Sequence, residues 1–279
     1  MTVAPQPSPH APLPANLGAR TGTWLGRLIR PARQQVRRPR ERVILVSAVA
    51  IVVIVAIVSW YMQFDSVAIV AARKLPGPIV AVFNWITDFG KAGWILWPLG
   101  ILLVATLPLS AVLPRYPALV VSAVAVRIAF VFLAVALPGL FGDVLKGIIG
   151  RARPFVTGVA DPFAFFPFHW QAKYASLPSG HSAAVLSIVV SVGALYPRAR
   201  PYLWVYALII MASRVIITAH HPSDVIAGAL VGGIGALFIR NYFAARGLAM
   251  AFTADGALTV FPGPSWARIK AIAGRLFRN

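Results

Sequence analysis

The chain has 279 residues, of which 59% are hydrophobic and only 12% charged, and its mean hydropathy is +0.78. A soluble domain carries about 25% charged residues, so these values exclude a soluble globular protein and point to an integral membrane protein. The net charge of +19 does not read as nucleic-acid binding, because the basic residues sit mainly in short segments beside apolar runs, and the absence of cysteine excludes a disulfide, a thiolate nucleophile or a zinc–thiolate site.

Residues 1–42 are rich in Pro and then in Arg, with Arg20, Arg27, Arg30, Arg33, Arg37, Arg38, Arg40 and Arg42, and hold no apolar span. They read as a disordered cytoplasmic tail ending in a polybasic juxtamembrane segment that favours anionic inner-leaflet lipid. A signal peptide needs its apolar core much earlier, so the first span, Val43–Met62, reads as an uncleaved anchor closed by the interfacial aromatics Trp60 and Tyr61. Residues 66–90 are apolar but interrupted by Arg73, Lys74, Pro76, Gly77 and Pro78, and read as one or two interfacial helices on the outer surface.

Further spans are expected at Gly93–Leu113, Tyr116–Leu140, His181–Tyr196, Tyr202–Ala219 and Ser223–Arg240. A crossing needs about 20 residues, and the fourth span is short unless it begins near Ser179. The expected fold is therefore an all-α membrane protein with six transmembrane helices, residues 43–247, followed by a basic cytoplasmic tail over 248–279. Within that tail Pro264–Asn279 has the pattern of a basic amphipathic helix on the inner leaflet. Gly228 and Gly232 have the spacing of close helix packing. Six spans put both termini on one side, and that side gathers 17 of the 26 basic residues against eight on the other, with Arg127 inside the third span. The termini are then cytoplasmic at a plasma or inner membrane, and the loop 141–180 and the turn Ala219–Pro222 face outward.

Three groups of polar residues converge on that outward face. Lys146, Arg151, Arg153 and Pro154 occur in KGIIGRARP, Ser179, Gly180 and His181 in PSGH, and Ser213, Arg214, His220, His221 and Asp224 in SRVIITAHHPSD. Ionisable residues at a membrane edge are expensive and mark function by default. Cations, a Ser–Gly helix start and two histidines near a carboxylate suit phosphoryl transfer. Arg and Lys clamp phosphate oxygens, a helix N-terminus offers free N–H groups, a neutral histidine attacks phosphorus, and a second histidine protonates the leaving oxygen. Adjacent Lys and Arg argue against a metal site, and no cofactor is needed where cationic side chains stabilise the transition state.

In this order the motifs, K-x6-R-P, P-S-G-H and S-R-x5-H-x3-D, resemble the signature of the type 2 phosphatidic acid phosphatase superfamily, which also includes vanadium haloperoxidases. The motifs run from Lys146 to Asp224, and the tails fall outside the likeness. The resemblance implies a lipid phosphate or diphosphate substrate, such as phosphatidic acid, phosphatidylglycerol phosphate, undecaprenyl diphosphate or a lipid A phosphate. It implies His220 as nucleophile, Asp224 as its orienting carboxylate and His181 as general acid and then base. Lys146, Arg153 and Arg214 would clamp the phosphate, with Ser179 and Gly180 as further donors. Rival readings are a lipid phosphotransferase using the same site, a vanadium-dependent haloperoxidase, which the spans disfavour, and an inactive lipid-binding protein.

Plainer readings stand beside these. Ser179 also suits an N-cap, Arg214 a snorkelling side chain, Arg151 a solvated loop charge, Asp143 a partner for Lys146 and His169 an interface residue. His221 points elsewhere than His220, Arg127 has no assigned role, and oligomeric state is not visible. The cluster Phe163, Phe165, Phe166, Phe168 and Trp170 suits a loop that dips into lipid and guides an acyl or prenyl chain. Truncating these aromatics is expected to raise KM for a lipid phosphate while leaving KM for a soluble phosphoester unchanged; steady-state kinetics on both substrates checks it, and equal effects would sink the role.

Overall fold

Apolar chain in lipid must satisfy its backbone internally, and the protein does so almost entirely with helices. The structure, a computed structural model, describes residues 24–29, 31, 57, 60, 62–253 and 256–276. Helix α1 spans Trp24–Leu28 and α2 residues 62–73. Then come α3 (Gly77–Thr87), a 3-10 turn (Asp88–Gly90), α4 (Gly93–Val112) and α5 (Arg115–Ile149). A loop of irregular backbone leads to α6 (Gly180–Leu195), α7 (Arg200–Ile216) and α8 (Pro222–Ala245), followed by the hairpin strands β1 (Met250–Phe252) and β2 (Leu258–Val260) and by α9 (Trp266–Leu276).

Among the described residues, four stretches have the length and apolar composition to cross a membrane: Gly77–Leu109, Arg115–Ile149, Pro197–Ile216 and Pro222–Ala245. The protein is thus a multi-pass helical membrane protein. Helix α6 is apolar but has only 16 residues, about 24 Å against a hydrocarbon core of about 30 Å. Residues Ser182–Val189 of α6 are all buried, with α5, α7 and α8 packed around it, as expected of a helix apolar all round. The first predicted span, 43–62, lies outside the described residues except for 57, 60 and 62. Residues 77–90, expected on the interface, form α3 and the 3-10 turn that runs into α4, and α3 packs against α7.

The seam between α6 and α8 is the closest in the bundle's core. A Cβ on Gly228 would lie 2.2 Å from the Ser179 carbonyl oxygen, and one on Gly232 would lie 2.0 Å from that of Ala183. Two glycines four apart on α8 thus face two residues four apart on α6. The Ser187 hydroxyl crosses the same seam to the Gly232 carbonyl at 3.1 Å.

Described parts of the two expected tails pack on the bundle. Trp24 and Leu28, four apart on α1, are buried in the cluster that holds Phe130 and Phe243, and the Tyr242 hydroxyl donates to the Leu28 carbonyl at 2.7 Å. Leu248, Ala249 and Met250 join that cluster and begin the hairpin, so apolar packing carries the body past residue 247. Arg127 gains a role here: its guanidinium donates to the Ala123 and Phe261 carbonyls, each at 2.8 Å, fastening the chain after β2 onto α5.

Gly232→Ala is expected to lower stability by about 1–3 kcal/mol through overpacking. Gly233→Ala, which meets nothing within 4 Å, is expected to be neutral or to gain up to about 1 kcal/mol of helix propensity. Thermal unfolding of the two variants in detergent checks the opposite signs.

Candidate active site

The site is assembled from helix ends at one level of the bundle. Helix α5 stops at Gly150, whose φ is +63° and whose N–H bonds back to the Lys146 carbonyl at 2.9 Å. A Cβ there would lie 1.6 Å from the Phe166 carbonyl oxygen, so only glycine makes this turn. The turn leaves Lys146 on the helix and sends Arg151 inward. The loop that follows is stitched to itself: Ala152 N–H to the Ala164 carbonyl at 2.9 Å, Arg153 N–H to that of Lys173 at 2.8 Å and Ser176 N–H to that of Arg151 at 3.1 Å.

Arg151 is wholly buried, which corrects its reading as a solvated loop charge. Its Nη1 donates to Asp224 Oδ1 at 2.5 Å and to Ser223 Oγ at 2.6 Å, its Nη2 to Asp65 Oδ2 at 2.7 Å and its Nε to the Pro162 carbonyl at 2.9 Å. Asp65 also accepts from the Ser223 N–H at 2.9 Å and from the Ser223 hydroxyl.

Ser179 is the N-cap of α6. Its hydroxyl oxygen accepts from the Ser182 hydroxyl at 3.1 Å and, at 3.5 Å, from the Ser182 N–H, while its own N–H reaches the Asp224 carbonyl at 2.9 Å. Lys146 Nζ lies 3.0 Å from where a Gly180 Cβ would be and pairs with Asp143 at 2.6 Å. Gly90 leaves room for the next residue, since a Cβ there would lie 3.0 Å from His181 Cδ2. Arg214 ends α7 with Nη1 on the Thr87 hydroxyl at 2.6 Å.

His220 lies in the turn between α7 and α8. Its Nδ1 is 2.8 Å from the Ser176 carbonyl, whereas Asp224 Oδ2 is 3.8 Å away. A carbonyl only accepts, so Nδ1 carries the proton and Nε2 the lone pair. Asp224, expected to orient the ring, is thus the more distant neighbour of Nδ1, and the Ser176 carbonyl the nearer one. The backbone of Ser176 orients the ring, and Asp224 acts one bond further on, accepting from the Ser176 hydroxyl at 2.5 Å. Asp224 also accepts from the His221 N–H at 2.9 Å, with Pro222 filling the first helical position of α8 as proline favours. The His221 ring is fully buried, with Nδ1 3.4 Å from Asp224 Oδ2.

Six side-chain nitrogens are buried without a hydrogen-bond partner among the described residues: Trp24 Nε1, far from the site in the α1 cluster, and, at the site, Arg153 Nε, Arg214 Nε, His181 Nε2 and both ring nitrogens of His221. His181 feels the charges of Arg214, His220, Lys91 and Lys146, and His220 those of Arg214 and Arg153. The sequence-predicted residues therefore form one cluster. Buried donors lacking acceptors are rare, and several around one point suit an anion with many acceptor oxygens. Sequence reasoning missed Asp65, Thr87 and Ser176; only Asp65 carried a signal, as a carboxylate placed just before an apolar run. Among the described residues no three His, Cys, Asp or Glu side chains group as a metal site. His169 stacks edge-on to Phe166 and Tyr174, and Trp170 lies over Gly147, next to Lys146.

The PAP2 superfamily profile matches residues 127–248. The lipid A 1-phosphatase of Rhizobium johnstonii is 32% identical over 205 residues, covering 72% of this chain and 82% of that protein. Its counterpart in Rhizobium etli is 33% identical over 201 residues, covering 69% and 85%. The crystal structure of Aquifex aeolicus LpxE matches with a TM-score of 0.44 at 22% identity, covering 66% of this chain and 94% of that one.

Burial, aided by the Arg214 and Arg153 charges and opposed by Asp224, holds the His220 imidazole below its ordinary pKa. The ring is then expected to stay neutral at pH 7 and to protonate only as pH falls below about 6.5. A histidine-labelled NMR titration, assigned by the His220→Ala spectrum, checks this; a midpoint at or above the ordinary value contradicts it.

Proposed function

This chain belongs to the PAP2 superfamily, and on that premise we propose that it removes a phosphate monoester from a lipid of the lipid A type, through a phosphohistidine at His220. Its relatives make it a membrane lipid phosphatase; the substrate and the residue roles are the proposal. One observation carries it: unpartnered buried donors on Arg153, Arg214 and His181 gather around a histidine whose tautomer leaves Nε2 free.

Burial and the surrounding cations disfavour a protonated His181 before substrate binds, so the proton arrives with the bound phosphate, whose negative charge favours it. In the first step His220 Nε2 bonds to phosphorus as the bond from phosphorus to the lipid oxygen breaks, and His181 gives that proton to the oxygen. The negative charge spread over the equatorial oxygens is held by Arg153, Arg214 and Lys146 and by N–H groups at the α6 N-terminus. In the second step His181 takes a proton from water. The water oxygen bonds to phosphorus, the N–P bond breaks, phosphate leaves, and His181 is again protonated. The excess of Lys and Arg in the termini supports a cytoplasmic location for both ends and an outer face for the site. A lipid A-type substrate is supported by what the two Rhizobium relatives act on by name.

Purified full-length protein in nanodiscs is expected to release phosphate fastest from a lipid A 1-phosphate, and more slowly from phosphatidic acid, phosphatidylglycerol phosphate and undecaprenyl diphosphate, with or without EDTA. His220→Ala is expected to lower the rate by about 10³-fold or more. Wild-type rates in that variant would overturn the nucleophile, and a different best lipid would overturn the substrate while leaving the mechanism standing.

A further inference from the structure

We propose that Asp65 is a positioning residue for the phosphate-transfer site, acting on His220 through a buried chain of hydrogen bonds, so that α2 is a working part of the site. This rests on the reading of His220 as the nucleophile. Asp65 lies outside the 127–248 region that the superfamily profile covers.

The buried residues of α2 are Met62, Asp65, Ile69 and Ala72, spaced as one face of a helix. The carboxylate is therefore carried into the protein by the same stripe that anchors the helix. It binds Arg151 Nη2 and both the N–H and hydroxyl of Ser223. Arg151 holds Asp224 Oδ1, Asp224 Oδ2 holds the Ser176 hydroxyl, and the Ser176 carbonyl holds His220 Nδ1. Asp65, Arg151, Ser223, Asp224 and Ser176 have no exposure at all, and His220 has 3%.

Such a chain does two things for the reaction. It fixes the ring: without Asp65, Arg151 Nη2 is left buried and unpaired, Arg151 bears on Asp224 alone, and any shift of Asp224 moves Ser176 and the imidazole with it. It also places charge. Two carboxylates against one guanidinium leave one net negative charge on the Nδ1 side of the ring. That charge stabilises the positive charge that develops on the imidazole as Nε2 bonds to phosphorus. Arg153 and Arg214, on the ring's other interactions, oppose it.

The test is Asp65→Asn in the full-length protein, with folded sites counted by trapping the labelled phosphoenzyme. The expected result is a kcat lower by about 10- to 100-fold with KM for the lipid within about two-fold of wild type, and an imidazole titration moved further down, because the buried chain behind the ring loses one negative charge. Ser176→Ala removes the hydroxyl link but keeps the carbonyl, and is expected to lower kcat in the same way. The double variant is expected to lose less than the two single losses multiplied, since both cut one chain. Unchanged kcat per folded site and an unmoved titration would overturn the proposal, as would strictly multiplicative losses. Should Asp65→Asn not fold, Ser176→Ala decides by the same two readouts. Activity surviving in His220→Ala would instead overturn the nucleophile on which this rests.

Discussion

A guanidinium with no solvent exposure has to be matched by buried acceptors, because its desolvation is large and an unmatched buried charge destabilises by several kcal/mol. Arg151 is such a group, and the site end of the bundle is arranged around it. Gly150 turns the chain so that Arg151 points inward, the loop lends the Pro162 carbonyl, α2 brings Asp65 and the start of α8 brings Ser223 and Asp224. Four segments distant in sequence are thereby held to one point. The planar fork of arginine suits this task, since it serves several acceptors at fixed angles.

The basic residues of the site fall into two kinds. Each of the three guanidinium nitrogens of Arg151 has a protein acceptor, with four hydrogen bonds in all, so it has little left to offer a ligand. Arg153 and Arg214 each keep a buried Nε without an acceptor among the described residues. Arg151 and Arg153, only two residues apart, thus differ: the first is engaged in the scaffold, and the second keeps a buried Nε without an acceptor among the described residues. The oriented, water-poor donors are the form in which charge stabilises a transition state most strongly.

The seam between α6 and α8 fixes how far apart the two histidine motifs stand. Gly228 and Gly232 let α8 approach until it touches the carbonyls of Ser179 and Ala183, and the Ser179 N–H then reaches the Asp224 carbonyl at 2.9 Å. The packing of two helix bodies thus sets the register of their N-termini. His181 at the head of one and the His220 turn before the other are brought into electrostatic range of each other.

The sequence by itself determined that the chain is membrane-embedded and helical, since composition and run length depend on nothing distant. It also determined the residue types of the three motifs and their order, because each is a local pattern, and the small-residue seam was legible for the same reason. It did not reveal that α6 is a buried core helix, that residues 24–28 and 248–250 join the body, or that Arg127 fastens the chain near Phe261. Those depend on which apolar face meets which. Only the tertiary structure decided that Arg151 is scaffold, that the Ser176 carbonyl lies against His220 Nδ1 and that Asp65 pairs with Arg151 and Ser223. Asp65 meets Arg151 and Ser223 across 86 and 158 positions of sequence, and no local spacing encodes a hydrogen bond that exists only once helices have packed.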